Sequence, residues 1–189
     1  MVKRKDLVLA SGSPRRRDLL TEAGYAFTVI PAEVEEIDDA TLGAEELVRR
    51  NAILKAREVA DRFPEAIVIG SDTLVALDGV PFGKPRDLEE AFAMLSRLVG
   101  RTHSVLTGVC LLRVTAGREE LFVEETKVTF RPLNAEEITR YLGLINPLDK
   151  AGSYAAQEFG ELIIERTEGS WTNVVGLPME RLEQALAAF

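Results

Sequence analysis

The stretch Ala66-Ile67-Val68-Ile69-Gly70-Ser71-Asp72-Thr73 decides how the rest of the chain is read. Its first five residues are continuously apolar rather than alternating, the pattern of a short strand covered on both faces. Such a strand belongs at the centre of a sheet with helices packed on it. The polar residues that follow put a carboxylate, Asp72, directly after the strand. In open α/β sheets, ligands gather beyond the carboxyl ends of the strands. Asp72 is therefore either placed to hold a metal or activate water, or a turn residue of the kind Asp favours.

Working outward, Leu7 to Ala10 reads as a second short buried strand. Ser13-Pro14 then opens a helix, with Ser as N-cap and Pro at the first helical position, and Gly24 closes it. Phe27 to Val34 suggests another strand, and Ala44 to Arg62 a long helix that stops before Pro64. Val80 to Pro85 reads as a turn. Asp87 with Glu90 forms a capping box for a helix that Gly100 ends. Ser104 to Val114 and Leu121 to Phe130 read as strands joined near Ala116-Gly117. Asn134 with Glu137 caps a helix to about Leu142, Glu161 to Glu165 is a short strand, and Gly176-Leu177-Pro178 starts the last helix.

Strands and helices interspersed in this way predict an α/β fold with a mixed sheet flanked by helices. The 189 residues support one domain, 1–189, with a substantial core. A hydrophobic fraction of 46% with 29% charged residues is that of a globular protein. No stretch approaches the length of a membrane span. The start, Met-Val-Lys-Arg-Lys-Asp, runs into only a short apolar segment before Ser11, too little for a signal peptide, so a cytoplasmic location is expected.

The rarer residues narrow the chemistry. The one cysteine, Cys110, excludes an intrachain disulfide and lies in an apolar run, as a buried structural thiol does. The one histidine, His103, excludes a His-rich metal site within the chain. A metal would have to be held by carboxylates and water, which points to Mg²⁺ or Mn²⁺. The net charge of −8 opposes binding to nucleic-acid polymers through their backbone phosphates. An anionic small molecule is still accommodated if cations are concentrated in one place.

Several charges sit where local structure does not call for them. Ser11-Gly12-Ser13-Pro14-Arg15-Arg16-Arg17 puts three arginines in the first turn of a helix, whose positive end favours acids. A strand, a small-residue turn and a helix start make a phosphate-binding geometry, to which arginine adds bidentate recognition; the alternative is a solvated basic patch. Lys55 falls on the edge of the apolar arc Val48, Ala52, Val59 and Phe63, either snorkelling to solvent or held at a site. Glu33 and Glu35 would share one face of the second strand, joined by a cation or simply solvated. Gly83-Lys84-Pro85 and Gly100-Arg101-Thr102-His103 each put a cation in a glycine-containing turn. His103 is either a general base or a structural side chain.

Taken together and in order, these segments resemble the Maf family of nucleotide pyrophosphatases. The matching residues are Leu-Ala-Ser-Gly-Ser-Pro-Arg-Arg at 9–16, Glu-Val-Glu-Glu at 33–36, Lys55, Gly-Ser-Asp-Thr at 70–73 and Gly-Lys-Pro at 83–85. They continue with Gly-Arg-Thr-His-Ser-Val at 100–105, Asp-Lys-Ala-Gly-Ser-Tyr at 149–154, Gln157, and Gly-Ser-Trp-Thr-Asn-Val-Val-Gly-Leu-Pro at 169–178. The resemblance implies two lobes around a deep cleft, a fold related to the inosine triphosphate pyrophosphatases. It implies Asp72 as the catalytic carboxylate and Glu35 as its acidic partner at a Mg²⁺ or Mn²⁺ ion. It implies phosphate contacts from Ser11, Arg15, Lys55 and Lys84, and a homodimer. Arg15, Thr73 and Gln157 resemble the specificity positions of the branch that converts dTTP and UTP to the monophosphate and pyrophosphate.

Overall fold

The computed structural model describes residues 6–39 and 41–189. The first five residues, part of the start whose apolar segment is read above as too short for a signal peptide, lie outside them. In chain order the elements are β1 (Leu7–Leu9), α1 (Pro14–Glu22), β2 (Thr28–Val29), α2 (Ala44–Arg62), β3 (Ile67–Leu77), β4 (Val80–Phe82), α3 (Leu88–Leu98), β5 (Thr102–Arg113), β6 (Arg118–Phe130), α4 (Ala135–Leu142), β7 (Ile164–Glu168), α5 (Trp171–Val175) and α6 (Met179–Ala188). Among the described residues, seven strands make one mixed sheet in the order β2-β1-β3-β5-β6-β7, with β4 paired to the end of β3. β1 runs parallel to both β2 and β3, and the remaining pairs are antiparallel. The α/β class with a mixed sheet is as expected. No helix among the described residues is long and apolar enough to cross a membrane.

The strong local signals hold to the residue. α2 ends where Pro64 requires, and Asn134 with Glu137 forms the complete reciprocal cap of α4. At α3, Asp87 accepts the Glu90 N–H, but Glu90 turns back to the Arg86 N–H at 2.7 Å, so only half of the expected box forms. Ser13 is at the N-cap of α1, yet its side chain caps nothing; its own N–H donates to Ser11 Oγ at 3.2 Å.

The sheet departs from expectation in three places. β3 does not stop before Asp72. The ladder with β5 runs unbroken from Val68↔Leu112 to Ala76↔Ser104, so Asp72 sits mid-strand opposite Gly108. Ser71, Asp72 and Thr73 are therefore strand residues rather than a turn. The strand expected over 27–34 shrinks to Thr28–Val29, an exposed edge with only β1 beside it. The strand expected over 161–165 begins at Ile164, because residues 160–162 form a single 3₁₀ turn. Two short elements went unread. β4 returns through a tight Asp78-Gly79 turn, both residues with positive φ, inside the stretch taken as a turn. α5 occupies the glycine-bounded segment before α6.

The two largest apolar clusters flank the polar centre of β3. One contains Ile67 and Ile69 with Leu20 of α1 and Leu177 and Leu182 near α6; the other contains Val75 and Leu77 with Leu95, Phe130 and Tyr141. On one face of β3, α2 lies unusually close. A Cβ at Gly70 would stand 2.2 Å from the Ala52 carbonyl oxygen, and one at Gly108 would stand 2.4 Å from that of Val48. Both obstacles are helix backbone, which cannot swing aside as a side chain can. Gly70→Ala is expected to lower unfolding stability in urea by about 3 kcal/mol, through forced separation of α2 from the sheet. Near-wild-type stability would show that the close approach is dispensable.

Candidate active site

The side chains of β3 alternate between its faces. Asp72 points to the α2 side, where Lys55 and Asn51 project from the helix. Lys55 Nζ donates to Asp72 Oδ1 at 2.7 Å and pairs with Glu36 Oε1 at 2.8 Å. Its side chain is 11% exposed and that of Asp72 is 8%, so Lys55 does not snorkel to solvent; it is the buried cation between two carboxylates. Burial pushes the Glu36 carboxyl up, but the Lys55 ammonium, with help from Lys84 and Arg16, outweighs it and holds the group below the ordinary carboxylate range.

Asn51 was not foreseen. Its Nδ2 reaches Asp72 Oδ2 at 3.3 Å and the Ile37 carbonyl at 3.2 Å, while its Oδ1 accepts the Ile37 N–H at 2.8 Å. This two-way clamp fixes the loop after β2 against α2 and presents Glu36 to Lys55. The carboxylate that meets Lys55 and lines the cavity is Glu36, its neighbour Glu35 being the one expected beside Asp72. Residues 33–36 are not a strand, so the alternation that paired Glu33 with Glu35 does not apply. Glu35 is exposed and does not line the cavity, and the Glu33 N–H donates outside it to Glu58. The clue in the sequence was Asn51 itself, a polar residue on the apolar arc of α2.

On the other face of β3 lies Arg16, the middle arginine of the three. Nε donates to the Gly176 carbonyl at 2.8 Å, Nη1 to Ser11 Oγ and the Ser71 carbonyl, both at 3.0 Å, and Nη2 to Thr73 Oγ1 at 2.9 Å. None of these acceptors is charged. Burial lowers its pKa from the ordinary arginine value and Arg15 adds to this, against the opposing fields of Asp72 and Glu36. Helical spacing marks it out, since Arg16 shares the buried face of α1 with Leu19 and Leu20.

A cavity of about 640 Å³ opens over these groups, large enough for a nucleotide. Of the residues singled out in the sequence, it brings together Ser11, Arg15, Lys55, Asp72, Thr73, Lys84 and Gln157. Arg15 and Lys84 form no hydrogen bond or ion pair with other described residues, which leaves two cations free at the rim. Lys150, buried at the same wall, is engaged by the Asn146 carbonyl and Asp149 at 3.0 and 2.8 Å. Arg101 instead pairs with Asp78 away from the cavity.

Cys110 is buried, and desolvation pushes its thiol up to about 12, which makes it inert. His103 is buried outside the cavity, its Nε2 3.0 Å from the Tyr154 hydroxyl and its ring against Phe130. It is a structural side chain.

No group of three or more His, Cys, Asp or Glu side chains gathers to hold a metal among the described residues. Two carboxylates do converge, Asp72 and Glu36. Magnesium takes its remaining ligands from water and from substrate phosphates, so a pair of this kind suits it.

The site thus gathers cations and two carboxylates around one cavity. A family model described as "Maf-like protein" matches residues 6–189, and the chain belongs to the Maf family. It is 47% identical to a dTTP/UTP pyrophosphatase of Akkermansia muciniphila over 95% of this chain and 94% of that one. It is 52% identical to a protein of that name from Myxococcus xanthus over 92% and 87% of the two chains, and 48% identical to one from Symbiobacterium thermophilum over 98% and 94%. The solved protein VC0702 from Vibrio cholerae is a more distant likeness, at 14% identity and a TM-score of 0.34 over 86% of this chain and 71% of that one.

Two outcomes follow from the electrostatics. Lys55→Met leaves Asp72 buried without its cation and is expected to cost about 3 kcal/mol of unfolding stability near neutral pH. Glu36, whose carboxyl Lys55 holds below its ordinary range, contributes stability above that ordinary range and loses it as pH falls through its folded value. The gap between wild type and Lys55→Met should therefore narrow below about pH 4; a gap independent of pH would mean that the lysine acts by packing alone. His103, by contrast, is held neutral by burial, its pKa lowered from 6.5 to about 4. Between those values the unfolded chain binds the proton and the folded chain does not, so stability falls as pH drops from 6.5 to 4, by about 3 kcal/mol. Denaturant titrations of wild type and His103→Gln across that range should differ in slope by this amount, and parallel curves would refute the assignment.

Proposed function

We propose that the protein hydrolyses dTTP and UTP to the monophosphate and pyrophosphate. The observation that carries this reading is the convergence, in one cavity, of two unpaired cations with the buried Asp72–Lys55 pair and the half-exposed Glu36. A solvated basic patch has no reason to be built around a buried carboxylate. The names of the relatives point to the same activity.

In this reading the triphosphate lies with its outer phosphates against Arg15, Lys84 and the amino-terminal end of α1, where free N–H groups favour anions. The α-phosphorus is then near Asp72. Asp72 is the base that orients the attacking water and takes its proton at a carboxylate oxygen. Lys55 orients the Asp72 carboxylate through the 2.7 Å contact and, as the substrate arrives, turns part of its charge to the phosphates. Arg15 and Lys84 hold the charge that builds on the leaving pyrophosphate; such catalysis is mostly positioning and electrostatics. A Mg²⁺ or Mn²⁺ ion held by Asp72 and Glu36 would supply further neutralisation of the phosphate oxygens. Thr73 and Gln157 face the cavity as uncharged hydrogen-bonding groups suited to a base edge. The reading also includes a cytoplasmic homodimer acting on free nucleotides and on no nucleic-acid polymer, in keeping with the net charge of −8.

Pyrophosphate release from dTTP, UTP, CTP, GTP and 7-methyl-GTP, with and without Mg²⁺ or Mn²⁺, tests the proposal. Metal-dependent turnover led by dTTP and UTP is expected. Asp72→Asn should lower kcat by about 10³-fold without loss of folding. Turnover led by 7-methyl-GTP would overturn the base assignment, and a near-normal rate in Asp72→Asn would remove that residue from the mechanism.

A further inference from the structure

Thr73 is the one side chain of the cavity whose hydroxyl is caught from three sides. Arg16 Nη2 donates to its oxygen at 2.9 Å, Thr107 Oγ1 stands 3.0 Å away, and the Gly176 carbonyl is at 3.5 Å. Thr107 is fully buried, and its own hydroxyl donates to the Asn173 carbonyl at 3.2 Å. A hydroxyl has one proton and turns it to whichever acceptor is offered. The Gly176 carbonyl is the longer contact and already accepts from Arg16 Nε at 2.8 Å, so the shorter contacts align one way: Arg16 to Thr73, Thr73 to Thr107, and Thr107 to the Asn173 carbonyl. Hydrogen bonds aligned head to tail in this way reinforce one another. The Thr73 proton is thereby spent inside the protein, and its oxygen keeps one lone pair.

We infer that this relay sets the polarity of base selection: Thr73 meets the substrate only as an acceptor, and it accepts the imide N3–H of uracil or thymine, with Thr107 as the positioning residue that holds it so. Cytosine carries a bare lone pair at N3, so at the same place two acceptors would face each other. An unmatched polar pair in a desolvated site discriminates strongly, more than a difference in size does. The inference rests on the pyrophosphatase reading and deepens it, since it assigns the discrimination to the direction of one hydroxyl.

Thr107→Val removes the nearer acceptor for the Thr73 proton while keeping the shape, and leaves only the Gly176 carbonyl at 3.5 Å, which Arg16 already occupies. Thr73 is then free to turn and donate to cytosine N3. The ratio of kcat/KM for UTP to that for CTP should fall by about tenfold or more, with CTP improving, and Thr107→Ser should restore it. A parallel loss for both nucleotides, with the ratio unchanged, would give Thr107 a merely structural part and overturn the inference. Should Thr107→Val not fold, a crystal structure of the wild-type protein with a UTP analogue carrying an imido α,β bridge answers the same question. N3 within about 3 Å of Thr73 Oγ1 supports the relay, and a base carbonyl or the sugar in that place overturns it. If wild type hydrolyses neither UTP nor dTTP, the pyrophosphatase reading itself fails and the relay's role falls with it; an intact preference in Thr107→Val sinks the relay alone.

Discussion

Everything at the site depends on how closely α2 lies on the sheet. Two positions without a Cβ, Gly70 on β3 and Gly108 on β5, let the helix backbone settle into direct contact with the strands. Side chains from the helix then reach the strand without spanning a layer of core residues. Lys55 and Asn51 arrive at Asp72 as buried groups, and burial gives their interaction its strength, because a cation screened by water would neither hold a carboxylate ionised nor fix its direction. The glycines and the charged set are thus one device. Spacing α2 farther out would admit water and turn Lys55 into the surface lysine that its place on the apolar arc first suggests.

The opposite face of β3 is organised by Arg16, and its partners explain why a buried charge is tolerated there. Three carbonyl or hydroxyl groups would have been enough to satisfy part of the guanidinium; it finds four, from the turn before α1, from β3 and from the turn between α5 and α6. Segments far apart in sequence are tied to one planar group. The cost of burying it is offset by charge-assisted hydrogen bonds and by the fields of Asp72 and Glu36 across the strand. The consequence at the cavity is a wall in which the guanidinium is held from four directions. A protein with a net charge of −8 can in this way present a local field that suits a polyanion.

The sequence was most legible where the signal was local. The bounds of α2 follow from its apolar spacing and Pro64, and the cap of α4 follows from Asn134 and Glu137, because these rules act within a few residues. Asp72 was found as a candidate but misplaced, since a polar triplet after an apolar run looks like a strand end; only the distant ladder with β5 keeps it in the strand. That Glu36 rather than Glu35 reaches Lys55 is hidden for the same reason. Four successive positions containing three glutamates carry no local mark of which one turns inward, and the choice is made by Asn51 holding Ile37 from another element. Arg16 could have been separated from Arg15 and Arg17 by its spacing to Leu19 and Leu20. The hydroxyl relay could not have been read at all, because Thr107 meets Thr73, and the Asn173 carbonyl meets Thr107, only through tertiary packing.

Consecutive strand residues point to opposite faces, and β3 uses this to keep two demands apart. Asp72 is committed to the α2 side, with its lysine and its second carboxylate, while Thr73 is committed to the Arg16 side, with a hydroxyl chain. Both nonetheless border one cavity. Under the function proposed here, the group that serves the phosphate and the group that reads the base are adjacent in sequence yet do not compete for partners. A shift of register by a single residue would exchange them, putting a hydroxyl beside Lys55 and a carboxylate beside the buried guanidinium. The long unbroken ladder with β5 guards against that slip, since every pair from Val68 to Ala76 would have to move with it. The length of β3 is therefore a requirement of the site as much as of the fold.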